Sequence, residues 1–190
     1  MSALPAETTE RWTSTELEMF PENGLLYEII AGELFVSKQP HWHHQGTCSN
    51  IVAEIIQWIR SGGGGQVVAA PGVIFDEEND VAPDVVWVSQ ERLPAILGED
   101  GKLHGAPDLV VEVVSPGAAN IRRDREAKLE LYSQRGVLEY WVADWRAKSL
   151  EAYRREGNAL NLAATLGAED ELKSPLLPGF KVPLARLFPG

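Results

Sequence analysis

The stretch Pro107-Asp108-Leu109-Val110-Val111-Glu112-Val113-Val114 decides the fold class. Its nearly continuous, β-branched apolar run suits a strand buried on both faces, in the middle of an α/β sheet. One charge, Glu112, interrupts it. A second carboxylate, Asp84, follows Val81-Ala82-Pro83 and opens the run Val85-Val86-Trp87-Val88. A carboxylate taken into such a strand is costly unless it is paired, hydrogen-bonded or bound to metal. One alone is best explained by a strand end near water or by an arginine partner. Two on neighbouring apolar strands favour a shared site. Two carboxylates with a strand carbonyl and waters suit a hard divalent cation such as Mg²⁺.

Downstream, the pattern predicts a helix from about Arg122 to Arg135, closed by Gly136. Asp124, Lys128 and Tyr132 fall four apart and share one helix face. Packed back over the sheet, that face would bring Lys128 to a metal-bound water or a phosphate. Taken alone, the lysine is more simply a solvated partner of Asp124. Leu138–Ala143 and Ser149–Arg154 read as a hairpin across Asp144–Lys148. An apolar strand such as Leu138–Ala143, left at a sheet edge, favours a homodimer. Residues 157–190 carry Pro175, Pro178, Pro183 and Pro189 and are expected to wrap the sheet edge as an extension of one domain, 1–190.

Upstream, residues 1–12 are expected to be loose. Thr13-Ser14-Thr15 with Glu16 and Glu18 gives overlapping capping boxes for a short helix to about Phe20. Tyr27–Ile30 and Glu33–Ser37 flank Ala31-Gly32 as a hairpin. From Trp42 to Arg60 the period turns helical, with Ile51, Val52, Ile55, Ile56 and Ile59 as the apolar stripe. Ser61-Gly62-Gly63-Gly64-Gly65 ends it in a flexible turn. Short strands are predicted at Gln66–Ala70, Gly72–Phe75 and Asp84–Val88, with Asp76–Asp80 as an acidic loop between the last two. A single helical turn is predicted within Gln90–Leu97. The outline is α/β, a mixed central sheet flanked by helices.

Several other polar residues have two readings each. Glu28 either supplies an outer carboxylate to a metal or lies on the hairpin surface; Glu33 is expected in solvent. His44 opens the long helix and either contacts phosphate or a metal-bound water, or caps or packs. His41-Trp42-His43-His44 lacks the three- or four-residue spacing of a zinc site. Asp108 is expected to cap the strand entry. Glu139 is expected to pair with Lys128 or an arginine. Trp87 and Trp141 fit strand cores. Trp42, Trp58 and Trp145 suit core, subunit contact or base stacking.

The chain has 190 residues and one cysteine, which excludes an internal disulfide and a multi-cysteine zinc site. No apolar run is long enough for a membrane span. No basic start with an apolar core marks a secretory leader, so a cytoplasmic protein is expected. A net charge of −11 speaks against a general nucleic-acid coat protein. The charge is uneven, however: 9 of the 17 basic residues lie between 120 and 156. Arg122, Arg123, Arg125, Arg154 and Arg155 are candidates for phosphate contacts, giving local, salt-sensitive binding.

Pro83-Asp84 followed by Glu112 resembles the PD-(D/E)XK nuclease signature. Within that superfamily the chain resembles the Uma2 (DUF820) family of restriction-endonuclease-like proteins. The matching residues are Tyr27-Glu28-Ile29-Ile30-Ala31-Gly32-Glu33-Leu34, His44, Ala82-Pro83-Asp84-Val85 and the run from Gly105 to Pro116. They continue through Asp124, Lys128, Tyr132, Gly136–Val142 and Leu177-Pro178-Gly179-Phe180. The superfamily signature has a lysine two residues after the acid; here that position is Val114. The resemblance implies that the lysine has moved to the following helix as Lys128.

It further implies a restriction-endonuclease-like fold and a Mg²⁺- or Mn²⁺-dependent endonuclease acting on nucleic acid, DNA first. Asp84, Glu112 and Lys128 would be catalytic. Asp84, Glu112 and the Val113 backbone carbonyl would hold the metal, with Glu28 as a further carboxylate. His44, Arg122, Arg123 and Tyr132 would meet the substrate. The competing reading is a catalytically inactive module of the same fold that binds a protein partner or DNA. Whether Lys128 reaches the Asp84–Glu112 site separates the two.

Overall fold

The computed structural model describes residues 11–21, 23–115, 117 and 122–189. The quoted stretch forms β7 (Leu109–Val113), at the interior of a six-stranded sheet. β7 runs antiparallel to β6 (Val85–Val88) and parallel to β8 (Glu139–Asp144), with Val111 opposite Val85 on one side and Trp141 on the other. β3 (Gln66–Ala69) continues beyond β6. Beyond β8 lie β9 (Ser149–Glu156) and β10 (Ala159–Leu166), both antiparallel.

Strand alternation divides the core in two. Leu109, Val111 and Val113 point to one face, where Cys48, Ile51 and Ile55 of α2 (Trp42–Arg60) meet them. Val110 and Val114 point to the other face, towards Leu131 and Tyr132 of α4 (Lys128–Arg135). Glu112, flanked by Val111 and Val113, therefore falls on the α4 side. A π-helical turn, Arg123–Ala127, leads directly into α4, which ends at Gly136 with φ +92°. That left-handed position favours a residue without a Cβ.

The α4 side is also covered by a second sheet in the order β2 (Glu33–Ser37), β1 (Leu26–Ile30), β5 (Asn79–Val81), β4 (Val73–Asp76). The predicted hairpin is β1–β2, with Ile29 opposite Leu34. The predicted acidic loop instead contains β5. Two of its polar side chains are used inside the fold: Asn79 accepts the Ala31 N–H at 2.9 Å, and Asp80 accepts the Ser14 hydroxyl at 2.6 Å. The capping box at Thr13 and Glu16 is present, and its helix, α1 (Ser14–Leu17), is shorter than predicted. The predicted turn near Gln90–Leu97 is α3 (Leu93–Ile96).

Three expectations change. The glycine run after α2 is tightly packed: a Cβ on Gly63 would lie 2.6 Å from the Trp58 ring, and one on Gly65 would lie 2.4 Å from the Val88 carbonyl oxygen. Residues 157–190 do more than edge the sheet. β10 is itself the terminal strand, while β11 (Glu171–Lys173), β12 (Lys181–Pro183) and the 3₁₀ turn Leu184–Leu187 close the α2 face with Leu172, Leu177, Phe180 and Val182. β8 is paired on both sides, so it offers no free edge, and the ground for expecting a homodimer through Leu138–Ala143 is gone. No helix among the described residues is long and apolar enough to cross a membrane.

Candidate active site

The site lies where the C-terminal end of β7 meets the start of α4 and the β1 strand. Lys128 is the first residue of α4, directly after the π-helical turn, a local distortion frequent at functional sites. Its side chain is 1% exposed. The Lys128 Nζ lies 2.8 Å from Glu28 Oε1 and 2.9 Å from Glu112 Oε1. Tyr132, one turn further along α4, donates its hydroxyl to the same Glu112 oxygen at 2.9 Å. The Ala82 N–H, beside β5, donates to Glu28 Oε1 at 3.1 Å.

Asp84 sits between β5 and β6 and is the more open carboxylate, with its side chain 22% exposed. Its Oδ2 accepts the Val113 N–H at 2.7 Å, which ties it to the residue after Glu112. The same oxygen lies 3.3 Å from His44 Nε2, in the first turn of α2. The other ring nitrogen of His44 lies 3.6 Å from Cys48 Sγ, four residues along the helix. A cleft of about 180 Å³ opens onto Glu28, His44, Asp84, Glu112, Arg123 and Lys128.

The charges do not balance. Glu28, Asp84, Glu112 and Asp124 surround two cations, Lys128 and Arg123. Burial pushes the Glu112 carboxyl up to about 8; Lys128 counters this, and Asp84, Asp124 and Glu28 reinforce it. Burial also raises Asp124 against the pull of Lys128 and Arg123. For Lys128, burial alone would favour the neutral amine. The carboxylates of Glu112, Glu28 and Asp124 outweigh it and hold the ammonium above its ordinary value. The lysine is therefore protonated, and the surplus is negative when all four carboxyls are ionised, a state that burial resists at Glu112.

Of the residues singled out by sequence, Asp84, Glu112, Lys128, Glu28 and His44 converge on the cleft. Glu28 arrives in a different role, as a partner of Lys128, and its second oxygen, without a hydrogen bond among the described residues, faces Arg123 Nη1 at 3.6 Å. Arg123 also borders the cleft, but its guanidinium is held by Asp124 at 2.9 Å and by the Ser37 hydroxyl at 2.6 Å. Tyr132 is not a substrate contact: it is fully buried and spends its hydroxyl on Glu112. Arg122 lies outside the cleft, paired with Glu126 beside Glu33 and Phe35.

The remaining arginines are engaged within the fold. Arg125 meets Glu151 at 3.2 Å, and Arg154 lies 3.5 Å from Glu139. Arg155 donates to the carbonyls of Val137, Tyr132 and Ser133. Glu139 thus pairs with an arginine rather than Lys128, and also accepts from the Trp141 indole and the Ser174 hydroxyl. Asp108 accepts the Ser89 N–H at 2.8 Å and lies 3.3 Å from Arg92, so it joins strands rather than binding at the cleft.

Nothing in the sequence assigns Cys48 to the site beyond its i, i+4 spacing from His44, which sets both on one helix face. His44, Cys48 and Asp84 form the one group among the described residues whose ligand-type atoms lie within 4.8 Å of one another. Opposite nitrogens of His44 face Cys48 and Asp84, so the contacts form a relay that orients Asp84. Burial, with Asp84 and Glu112 nearby, pushes the Cys48 thiol far up and keeps its proton in place.

The family model of Uma2, described as "Putative restriction endonuclease", matches residues 13–185. No curated protein matches the chain. Among solved structures, "a putative nuclease belonging to DUF820 from Anabaena variabilis ATCC 29413" aligns with a TM-score of 0.72 at 17% identity. The alignment covers 92% of this chain and 96% of that one. At that identity the likeness establishes the fold.

Proposed function

The chain belongs to the Uma2 family, and from that premise we propose that it is a Mg²⁺- or Mn²⁺-dependent endonuclease hydrolysing phosphodiester bonds in DNA. The residues fit a hard divalent ion. Four carboxylates share the site with two cations, Lys128 and Arg123. The carboxylate donors at the cleft are the oxygens that such ions select, beside the imidazole of His44. Asp84 and Glu112 would hold the ion, with the Val113 carbonyl as a third donor. Bound there, it supplies positive charge against the phosphate and acidifies water.

The protein's own groups account for the rest. The Val113 N–H and His44 both meet one oxygen of Asp84, Oδ2, and leave the other outside those two contacts. An ammonium has three N–H donors. Glu28 and Glu112 take two of those on Lys128, leaving one for an attacking water or a phosphate oxygen. A protonated lysine in a buried, preorganised setting stabilises the charge that develops on the phosphorane-like transition state. Tyr132 and the Ala82 N–H hold the two carboxylates that aim it.

The observation that carries the proposal is the 2.9 Å contact between Lys128 and Glu112. A lysine from α4 reaches the acid that Val114 cannot serve, which favours the nuclease over an inert module of the same fold. Incubation of purified protein with plasmid and single-stranded DNA in Mg²⁺ or Mn²⁺ tests it. Cleavage is expected, and is expected to vanish in Asp84→Asn and Lys128→Ala. Absence of cleavage with every ion and DNA form, together with no ion binding, contradicts the proposal.

A further inference from the structure

Beside the cleft, the first turn of α2 carries an aromatic cluster that the hydrolytic residues do not use. The rings of His41 and Trp145 are stacked, with centroids 4.8 Å apart and planes 11° from parallel. His43 stacks on the same two rings at 5.3 Å. The Arg146 guanidinium lies over the Trp145 ring, 4.9 Å from its centroid. Trp42, between the two histidines, is 82% exposed, the most exposed large apolar side chain among the described residues.

The cluster is tied to the cleft from two directions. His44, the Asp84 partner, follows His41 by three residues on α2. The Val114 N–H donates to the Ala143 carbonyl, two residues before Trp145, so the β8–β9 turn is anchored to the strand that carries Glu112. The electrostatics there differ from the cleft. The first turn of the 19-residue α2 contains no acidic residue, and the His41 ring already accepts the His43 N–H there at 3.1 Å. On the adjoining turn Arg146 and Lys148 outnumber Asp144, which accepts the Arg146 and Ala147 N–H groups. Exposed aromatic faces combined with cations are the elements that hold an unpaired strand: bases stack on the rings, and phosphates meet the charges.

We propose that the exposed Trp42, next to the stack of His41, Trp145 and Arg146, forms a stacking platform for an unpaired base of the substrate, so that the protein prefers single-stranded or frayed DNA over intact duplex. This rests on the nuclease reading of the neighbouring cleft and specifies its substrate. A paired base, already stacked on both faces, cannot offer itself to Trp42 without the cost of unstacking.

The test is fluorescence anisotropy of a labelled oligonucleotide, single-stranded and as its duplex, titrated with intact protein in EDTA so that no cleavage intervenes. Wild type is expected to bind the single strand more tightly. Trp42→Ala is expected to weaken single-strand binding roughly five- to a hundredfold while changing duplex binding little. Trp42→Phe, which restores a ring, is expected to recover most of the loss, an outcome that general surface damage would not give. Equal single-strand affinity in wild type and Trp42→Ala, or no preference for the single strand in wild type, overturns the platform. Adding Mg²⁺ to the same complexes separates the two claims: a strand that is bound through Trp42 but never cut contradicts the nuclease and leaves the platform standing.

Discussion

The two faces of the six-stranded sheet are built from alternate residues of the same strands, yet they are chemically opposite. On the α2 face, Leu109, Val111, Val113, Trp141 and Ala143 pack against Ile51 and Ile55 and are closed over by Leu172, Leu177 and Phe180. On the α4 face, Val110 and Val114 bracket Glu112, and Glu28, Asp124 and Lys128 are buried with it. One face holds itself together by removing apolar area from water. The other spends stability to hold charge where water is scarce, because a buried carboxylate survives only with partners. The difference marks the α4 face as the one shaped for chemistry and the α2 face as its support.

The largest break in that comparison is expected from Lys128→Met. It keeps the side-chain length but leaves Glu28 and Glu112 buried without their cation, at a cost of ~3–5 kcal/mol by urea denaturation. A loss below ~1 kcal/mol would mean that the charges are better solvated than their burial indicates. Next is Ile55→Ala on the opposite face, where truncating a fully buried side chain is expected to cost ~2–5 kcal/mol while leaving divalent-ion binding unchanged. A parallel loss of ion binding would show that the two faces are not separable. Smaller still, Tyr132→Phe removes one hydrogen bond to Glu112 and is expected to cost ~1–3 kcal/mol, measured the same way.

The two faces also share an alkaline weakness. Burial raises the Tyr132 hydroxyl well above its ordinary value of 10.0, and raises the Cys48 thiol on the other face far above 9.0. Both keep their protons in the fold and lose them in the unfolded chain as pH passes those ordinary values. The unfolded state then binds fewer protons, so stability falls as pH rises from about 9. Denaturation midpoints across that range are expected to decline less steeply in Cys48→Ala and in Tyr132→Phe. Slopes identical to wild type would place the alkaline sensitivity elsewhere.

Much of this division is legible in the sequence, because local pattern dictates it. The stripe through Ile51 and Ile55 sets α2 to its ends, and the apolar run around Glu112 marks β7 as an inner strand. Asp84 and Glu112 stand out as charges where charge is costly, and Lys128 only by sharing a helix face with Asp124 and Tyr132. What stays hidden depends on partners distant in sequence. Asp76–Asp80 looks like a solvated loop until Ser14 and the Ala31 backbone take up its polar groups. β8 looks like an edge until β7 and β9 flank it. Glu28 can be seen to be important, but its role as a Lys128 partner depends on how β1 crosses α4. Tyr132 carries the right spacing for the site, and its inward aim towards Glu112 appears only once α4 is seated on the sheet. The basic cluster after residue 120 misleads for the same reason: Arg125, Arg154 and Arg155 are consumed by internal partners.

On the proposed reading, the charged face holds a divalent ion between Asp84 and Glu112. Calorimetric titration of Mn²⁺ into wild type, Asp84→Asn and Glu112→Gln addresses it most directly. Saturable binding of an ion by wild type, weakened at least tenfold in each variant while both remain folded, is the predicted result. Binding that is absent in wild type, or unchanged in both variants, would contradict it.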